Sequence, residues 1–172
     1  TRVSVGGSFF GQDGIVKGSD YNRHSIRANV THKISKKFSV NLTNSLSFIK
    51  TGRKDSNGGS RGGSMINSAI GAAPISTPYN EDGTLTVLAN QYPFVPTDVI
   101  NPLNFINEQS ITTKANVILS NAALLFNPIP EITIKVSGGI ENRDERTDSY
   151  TSREFVNSNG SAGVSTLQFR SL

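Results

Sequence analysis

The side chains that could do chemistry are few. His24 and His32 are the two histidines, and eight residues of extended chain set them about 26 Å apart, too far to share a metal ion. With zero Cys, thiolate metal sites, thiol nucleophiles and disulfide frameworks are excluded together. Glu141, Asp144, Glu145 and Asp148 form an acidic cluster interleaved with Arg143 and Arg146. A catalytic carboxylate pair would need two of them facing one bond, whereas a solvated strand end running into a loop accounts for the cluster without further demands. Serine is abundant, but neither histidine has an acid at a readable spacing, so no nucleophile, base and orienting acid can be assembled. These residues predict no catalytic site, no bound metal and no cofactor, hence a protein that is not an enzyme.

Binding motifs are equally sparse. Residues 58–63, Gly-Gly-Ser-Arg-Gly-Gly, carry one Arg and no aromatic residue, which suits a linker rather than an RNA contact, and no nucleic-acid partner is expected. Residues 11–18 lack the spacing of a phosphate loop. Three glycosylation sequons start at Asn29, Asn41 and Asn159; the first two fall inside predicted strands and are read as chance matches. The remaining candidates are Tyr79, Tyr92, Phe94 and Phe105 with Asn80, Asn90, Asn101 and Asn104, which set flat stacking faces beside amide groups. Such a surface holds a sugar, a peptide or a partner protein, and the same rings could equally pack a loop on itself.

The elements that must position these residues follow from composition and period. Of 172 residues, 35% are hydrophobic and 17% charged, with net charge +4. That is lean for a packed core, and the Ser, Thr, Asn and Gly that fill the gap favour strands and turns over helices. No run approaches the roughly 18 apolar residues of a membrane helix, since Ser120 and Asn121 interrupt the best candidate at residues 117–126. A helical span is excluded and a β-barrel span is not. The first residues, Thr-Arg-Val-Ser-Val, show no targeting signal and read as though the chain begins inside a strand.

Period-2 alternation is clearest at residues 38–50, where Phe38, Val40, Leu42, Leu46 and Phe48 oppose Ser39, Asn41, Thr43, Ser45 and Ser47. Residues 21–32 do the same, Ile26, Ala28 and Val30 opposing Arg23, Ser25, Arg27, Asn29 and Thr31, and the short link 33–37 makes the two runs a hairpin. A second hairpin centres on the prolines of residues 127–130, with arms 112–126 and 131–146. The apolar run 122–126 leaves the facing of its first arm open. An opening strand at residues 3–10 and a final one near 164–172 complete the set, joined by long links at 11–20, 51–111 and 147–163. Strands of about 10–15 residues whose links alternate short and long match a membrane barrel, with tight turns at one rim and long loops at the other. Within the long loop, residues 54–63 read as flexible. Residues 64–73 read as a helix capped by Ser64 and stopped by Pro74, and residues 78–83 and 101–102 as turns.

Val3-Ser4-Val5-Gly6-Gly7-Ser8-Phe9-Phe10, then Gln12-Asp13-Gly14-Ile15-Val16-Lys17-Gly18-Ser19-Asp20-Tyr21 and Arg27-Ala28-Asn29, resemble the SusC-like (SusC/RagA) TonB-linked outer-membrane transporters of Bacteroidetes. Pro78-Tyr79-Asn80-Glu81-Asp82-Gly83, Asn101-Pro102-Leu103 and Lys135-Val136-Ser137-Gly138-Gly139-Ile140 follow in the order that family shows. The resemblance implies an all-β fold: about six antiparallel strands of a larger transmembrane barrel, a partial TonB-dependent receptor barrel over residues 1–172, with residues 52–111 a long extracellular loop carrying a short helix. It implies import of oligosaccharides or peptides across a Gram-negative outer membrane, a SusD-like lipoprotein partner, and coupling to TonB through a plug region missing from this chain. A plugged barrel needs about 22 strands, so the chain reads as a fragment.

On this reading Phe38, Val40, Leu42, Leu46 and Phe48 face outer-membrane lipid, and Arg23, Arg27, Asn29, Asn41 and Thr43 line the lumen. Tyr79, Asn80, Asp82, Tyr92 and Asn101 are the loop residues expected to contact substrate or partner. The competing expectation is a soluble or surface-displayed β-sandwich that binds carbohydrate; an outer-membrane enzyme barrel is a third, disfavoured by the missing triad. With both outermost strands unpaired, poor solubility in isolation is expected.

Overall fold

Side chains that alternate between apolar and hydrogen-bonding types gather on one stripe only if the backbone is extended, and over most of this sequence it is. The computed structural model describes residues 1–54, 64–96, 98–155 and 164–171. Six strands, β1 (Arg2–Asp13), β2 (Asp20–Lys33), β3 (Phe38–Arg53), β4 (Gln109–Ile129), β5 (Ile132–Thr151) and β6 (Val164–Ser171), form one antiparallel sheet in chain order. β4 and β5 reach 21 and 20 residues, against about 5–6 for an ordinary strand. All six outrun or match the alternating stretches because the ladder of backbone hydrogen bonds continues where the side-chain pattern lapses.

The links are shorter than the sequence expectation, since β3 runs to Arg53, β4 starts at Gln109 and β5 runs to Thr151. Gly11, Gln12 and Asp13 pair with Asn22, Tyr21 and Asp20, so the first link shrinks to residues 14–19. Ladder pairing also carries β4 past Asn127 and Pro128 to Ile129, leaving a two-residue turn at 130–131. The register slips between Phe126 and Ile129. Pro128, which has no N–H to give, sits in that slip, where none is needed. Asn127 instead donates its backbone N–H to the Lys37 carbonyl at 2.8 Å.

Cross-strand partners share a face, so the registers sort every side chain. Phe38, Val40, Leu42, Leu46 and Phe48 pair with Phe126, Leu124, Ala122, Ile118 and Asn116 on β4. On the other side Val40, Leu42, Leu46 and Phe48 meet His32, Val30, Ile26 and His24 on β2. Val3, Val5 and Phe9 of β1 and Ile134, Val136 and Ile140 of β5 extend the same apolar face. The register thereby settles the facing of β4: Phe126, Leu124 and Ala122 belong to the apolar face, Leu125 and Ala123 to the opposite one. Ten residue steps from Phe38 to Phe48, at about 3.3 Å each, make an apolar stripe roughly 33 Å long, interrupted near its middle by Asn44 and its β4 partner Ser120.

Nothing in the described residues covers that face. One sheet is formed, and its apolar side chains stand open, Val5 at 69% and Ile140 at 73% exposure. A sandwich would need a second layer against them. The buried apolar residues lie elsewhere: apart from Ala115 on β4, they are Met65, Leu88, Val95, Val99, Ile100, Phe105 and Phe155, all in the segments beyond the strand ends. Among the described residues no helix is long and apolar enough to cross a membrane.

The segment between β3 and β4 folds on itself. Helix α1 (Met65–Gly71) begins at Ser64, whose side chain accepts from the Asn67 N–H. A 3-10 turn (Leu88–Asn90) and helix α2 (Pro102–Glu108) follow. The Asn-Pro pair expected to mark a turn instead starts α2: Asn101 Oδ1 accepts from the Leu103 N–H at 3.1 Å and Pro102 occupies the first helical turn, where its missing donor is harmless. Residues 55–63, the glycine-rich stretch read as flexible, lie outside the described residues, as does the sequon at Asn159.

Candidate functional site on the polar face and the long loop

The face opposite the apolar band is built from hydroxyls and amides on β1 to β3. Arg23, Arg27, Asn29 and Thr31 of β2 pair with Ile49, Ser45, Thr43 and Asn41 of β3, so the five residues expected on one wall, Arg23, Arg27, Asn29, Asn41 and Thr43, do share it. Ser25 and Ser47 are partners and their hydroxyls meet at 2.9 Å. Arg23 donates to both, from Nε to Ser25 at 3.0 Å and from a terminal nitrogen to Ser47 at 3.2 Å. Among the described residues the guanidinium is thus held by hydroxyls, with no carboxylate paired to it. Farther along the face, Asn41, Thr43, Asn121, Lys135 and Ser137 rim a concavity of about 480 Å³. Gly139, the partner of Asn121, leaves room for that amide; a Cβ there would collide with Asn121 Oδ1.

Strand alternation dismantles the acidic cluster. Glu141 and Glu145 take the polar face, Asp144 and Asp148 the other, as their β4 partners Leu119, Ala115, Asn116 and Thr112 require. Glu145 pairs with Arg143 at 2.8 Å and Asp148 with Arg146 at 2.9 Å, while Asp144 accepts from Ser171 at 2.6 Å. The structure brings no two of these carboxylates together over one bond. His24 and His32 lie on the apolar face of β2, four residues from its start and one from its end, His24 against the Phe9 ring at 4.9 Å and His32 against the Thr1 hydroxyl at 2.6 Å. Among the described residues no group of three His, Asp or Glu is placed to hold a metal ion.

The loop candidates divide into inner and outer residues. Residues 78–86 form a hairpin, with Tyr79 bridging to Leu85 and Gly83 at φ +83 at its tip, a conformation that glycine adopts without strain. Inside it Asn80 donates to the Thr84 hydroxyl at 2.8 Å, and Asp82 accepts from the Thr84 hydroxyl at 2.6 Å and amide at 2.9 Å. Those bonds hold the Asp82 carboxyl below its usual value. Asn101 is 2% exposed, and its amide donates to the Pro78 and Thr86 carbonyls at 2.8 and 3.1 Å. Having joined the hairpin to α2, it has no amide left for a ligand. Tyr79 is 51% exposed. Tyr92 packs against the Leu88, Val95 and Val99 cluster and stacks at 5.3 Å on Phe94, which stands 65% exposed. The outward aromatic surface is therefore Tyr79 with the Tyr92 and Phe94 pair.

Sequence reasoning missed α2 and the anchoring of the loop. Lys54, directly after β3, donates from Nζ to the Ile106 and Gln109 carbonyls at 2.7 and 2.5 Å, clasping the end of β3 to the start of β4; burial pushes its ammonium below the usual lysine value. Met65, Ile100, Phe105 and Phe155 form one cluster that Val16 and Ile106 flank. The links after β1 and β5 thus meet the long loop in shared apolar contact. The signal in the sequence was the apolar pairs Ile15-Val16 and Phe155-Val156 inside otherwise polar links.

No family model matches the chain. It is similar to "TonB-dependent receptor P3" of Formosa agariphila, 28% identical over 176 residues that cover 99% of this chain. The chain spans 17% of the length of that curated relative, so what it is related to throughout is one stretch of a TonB-dependent receptor.

Proposed function

We propose that these residues form part of the wall and one outer loop of a TonB-dependent outer-membrane transporter that imports oligosaccharides or peptides. The carrying observation is the two-faced sheet without a core: open apolar side chains, interrupted at Asn44 and Ser120, run along one face, backed on β1 to β3 mainly by hydroxyls, amides and arginines, and at the roughly 40° tilt of a membrane barrel that stripe would stand about 25 Å tall. An aqueous sandwich would cover the first face, whereas acyl chains cover it at no cost in a membrane. Phe38, Val40, Leu42, Leu46 and Phe48 then meet lipid, and Arg23, Arg27, Asn29, Asn41 and Thr43 line the pore. Likeness over the whole chain to a TonB-dependent receptor supports the same reading.

The long loop then lies at the outer mouth, where Tyr79, Asn80, Asp82 and Tyr92 meet substrate or a SusD-like lipoprotein. The lipoprotein and a Bacteroidetes-like host rest on the motif order from Val3 to Ile140. TonB would act through a plug elsewhere in the full-length polypeptide. Membrane fractionation, together with uptake in cells with and without TonB, tests the proposal. Full-length protein should reach the outer membrane, its uptake should require TonB, and Tyr79→Ala should weaken uptake. Recovery in the soluble fraction, or uptake indifferent to TonB, would sink it.

A further inference from the structure

Charge on the polar face is segregated by strand. On β1 to β3 that face carries Arg2, Arg23, Arg27, Lys33 and Arg53 and no carboxylate, because Asp13 and Asp20 fall on the opposite face. The first carboxylates on the polar face are Glu141 and Glu145 of β5, three strands from β2 and therefore roughly 14 Å away. Glu145 is already paired with Arg143. Among the described residues Arg23 contacts hydroxyls only, and Arg27 has no ion pair. Two like-charged guanidinium groups on one face of one strand, with no carboxylate beside them, raise the local concentration of anions.

The surroundings of these two arginines are shaped for a ligand. Phe10 is the partner of Arg23, and its ring meets Tyr21 edge-on at 6.0 Å. Gly6 is the partner of Arg27, with open space where a side chain would stand. Phe10, Tyr21, Arg23 and Arg27, with Ser25 and Ser45, line a concavity of about 710 Å³, within the range that holds a small ligand. A guanidinium fork matches the two oxygens of a carboxylate or sulfate. The rings offer apolar faces to sugar C–H groups, and the serines offer hydroxyls to a polyol.

We propose that Phe10, Tyr21, Arg23 and Arg27 form a subsite for an anionic oligosaccharide, one bearing carboxylate or sulfate groups. The proposal rests on the transporter reading above and deepens it. Purified full-length transporter is titrated with tetragalacturonate, a heparin-derived tetrasaccharide, neutral maltotetraose and tetraglutamate. One or both charged sugars should bind more than tenfold tighter than the neutral one. Arg23→Gln and Arg27→Gln should each cost about tenfold for the charged sugar, the scale of a charge-assisted hydrogen bond, and leave the neutral one unchanged; Arg23→Lys should retain part of the preference. Added salt should erode the charged sugar's advantage.

Several results would overturn the subsite. They are no charged-sugar preference in the wild type, tetraglutamate binding tightest, or an equal loss for all probes with lowered thermal stability. That last result would mean the arginines pair with carboxylates elsewhere in the polypeptide. Outer-membrane fractionation of the same variants separates the two claims. A transporter that assembles without anion preference removes only the subsite, and one that never reaches the membrane removes the reading beneath it.

Discussion

Asn101 and Asp82 illustrate how one polar side chain can organise a loop and how differently each role reads from sequence. A serine before a helical run announces its cap, and Ser64 does cap α1. Asn-Pro is ambiguous, since both a turn and a helix start use an amide that accepts a backbone N–H followed by a ring with φ already set. Only the contacts of Asn101 with the Pro78 and Thr86 carbonyls make it the joint between hairpin and α2. Asp82 lends itself to a pH test. Its folded value is lowered from 3.8 by the Thr84 bonds, so the stabilisation is present above that ordinary value and lost as pH falls through the lower folded one. Exchange at the Thr84 amide, corrected for intrinsic rate, should therefore quicken only below the ordinary carboxylate range. In Asp82→Asn it should show no such step; an identical step in that variant would disconnect the carboxylate from the turn.

At the scale of the strand, the facing of β3 was legible because alternation is a property of neighbouring residues, whereas the facing of β4 was not. The run Ala-Ala-Leu-Leu-Phe at residues 122–126 presents apolar groups to both sides, and only pairing with β3 decides that Leu124, not Leu125, continues the band. The proposed environment of the two faces predicts opposite tolerance at adjacent positions. In the full-length protein Leu42→Arg places a charge in mid-band and should cost roughly 2–4 kcal/mol, while Thr43→Arg turns toward the pore and should cost little. Folded yield in the outer membrane and the heat needed to unfold the barrel report both. Equal tolerance would reverse or abolish the assignment of faces.

At the scale of the molecule, three links that are far apart in sequence share one apolar cluster beyond the strand ends. Phe105 meets the Phe155 ring edge-on at 5.1 Å, with Val16, Met65, Ile100 and Ile106 around them. Phe105→Ala should cost about 3–5 kcal/mol of local stability. Hydrogen exchange in the full-length protein should then rise together in α1, in α2 and around residues 16 and 155. A rise confined to α2 would show that the loops are independent. The Lys54 clasp, which ties β3 to the first residues of β4, should keep the strand ends themselves unchanged.

The amino-acid sequence alone determined that the chain is a series of long antiparallel strands with one greasy and one wet side. Alternation, turn residues and link lengths are local signals carried by adjacent positions. Tertiary structure decided the ends of the strands, the facing of β4, the start of α2, the gathering of three loops on Phe105 and, among the described residues, the separation of Arg23 and Arg27 from the carboxylates of their face. Each of these depends on partners in distant parts of the chain, through hydrogen-bond ladders and apolar contacts whose register no neighbouring residue specifies.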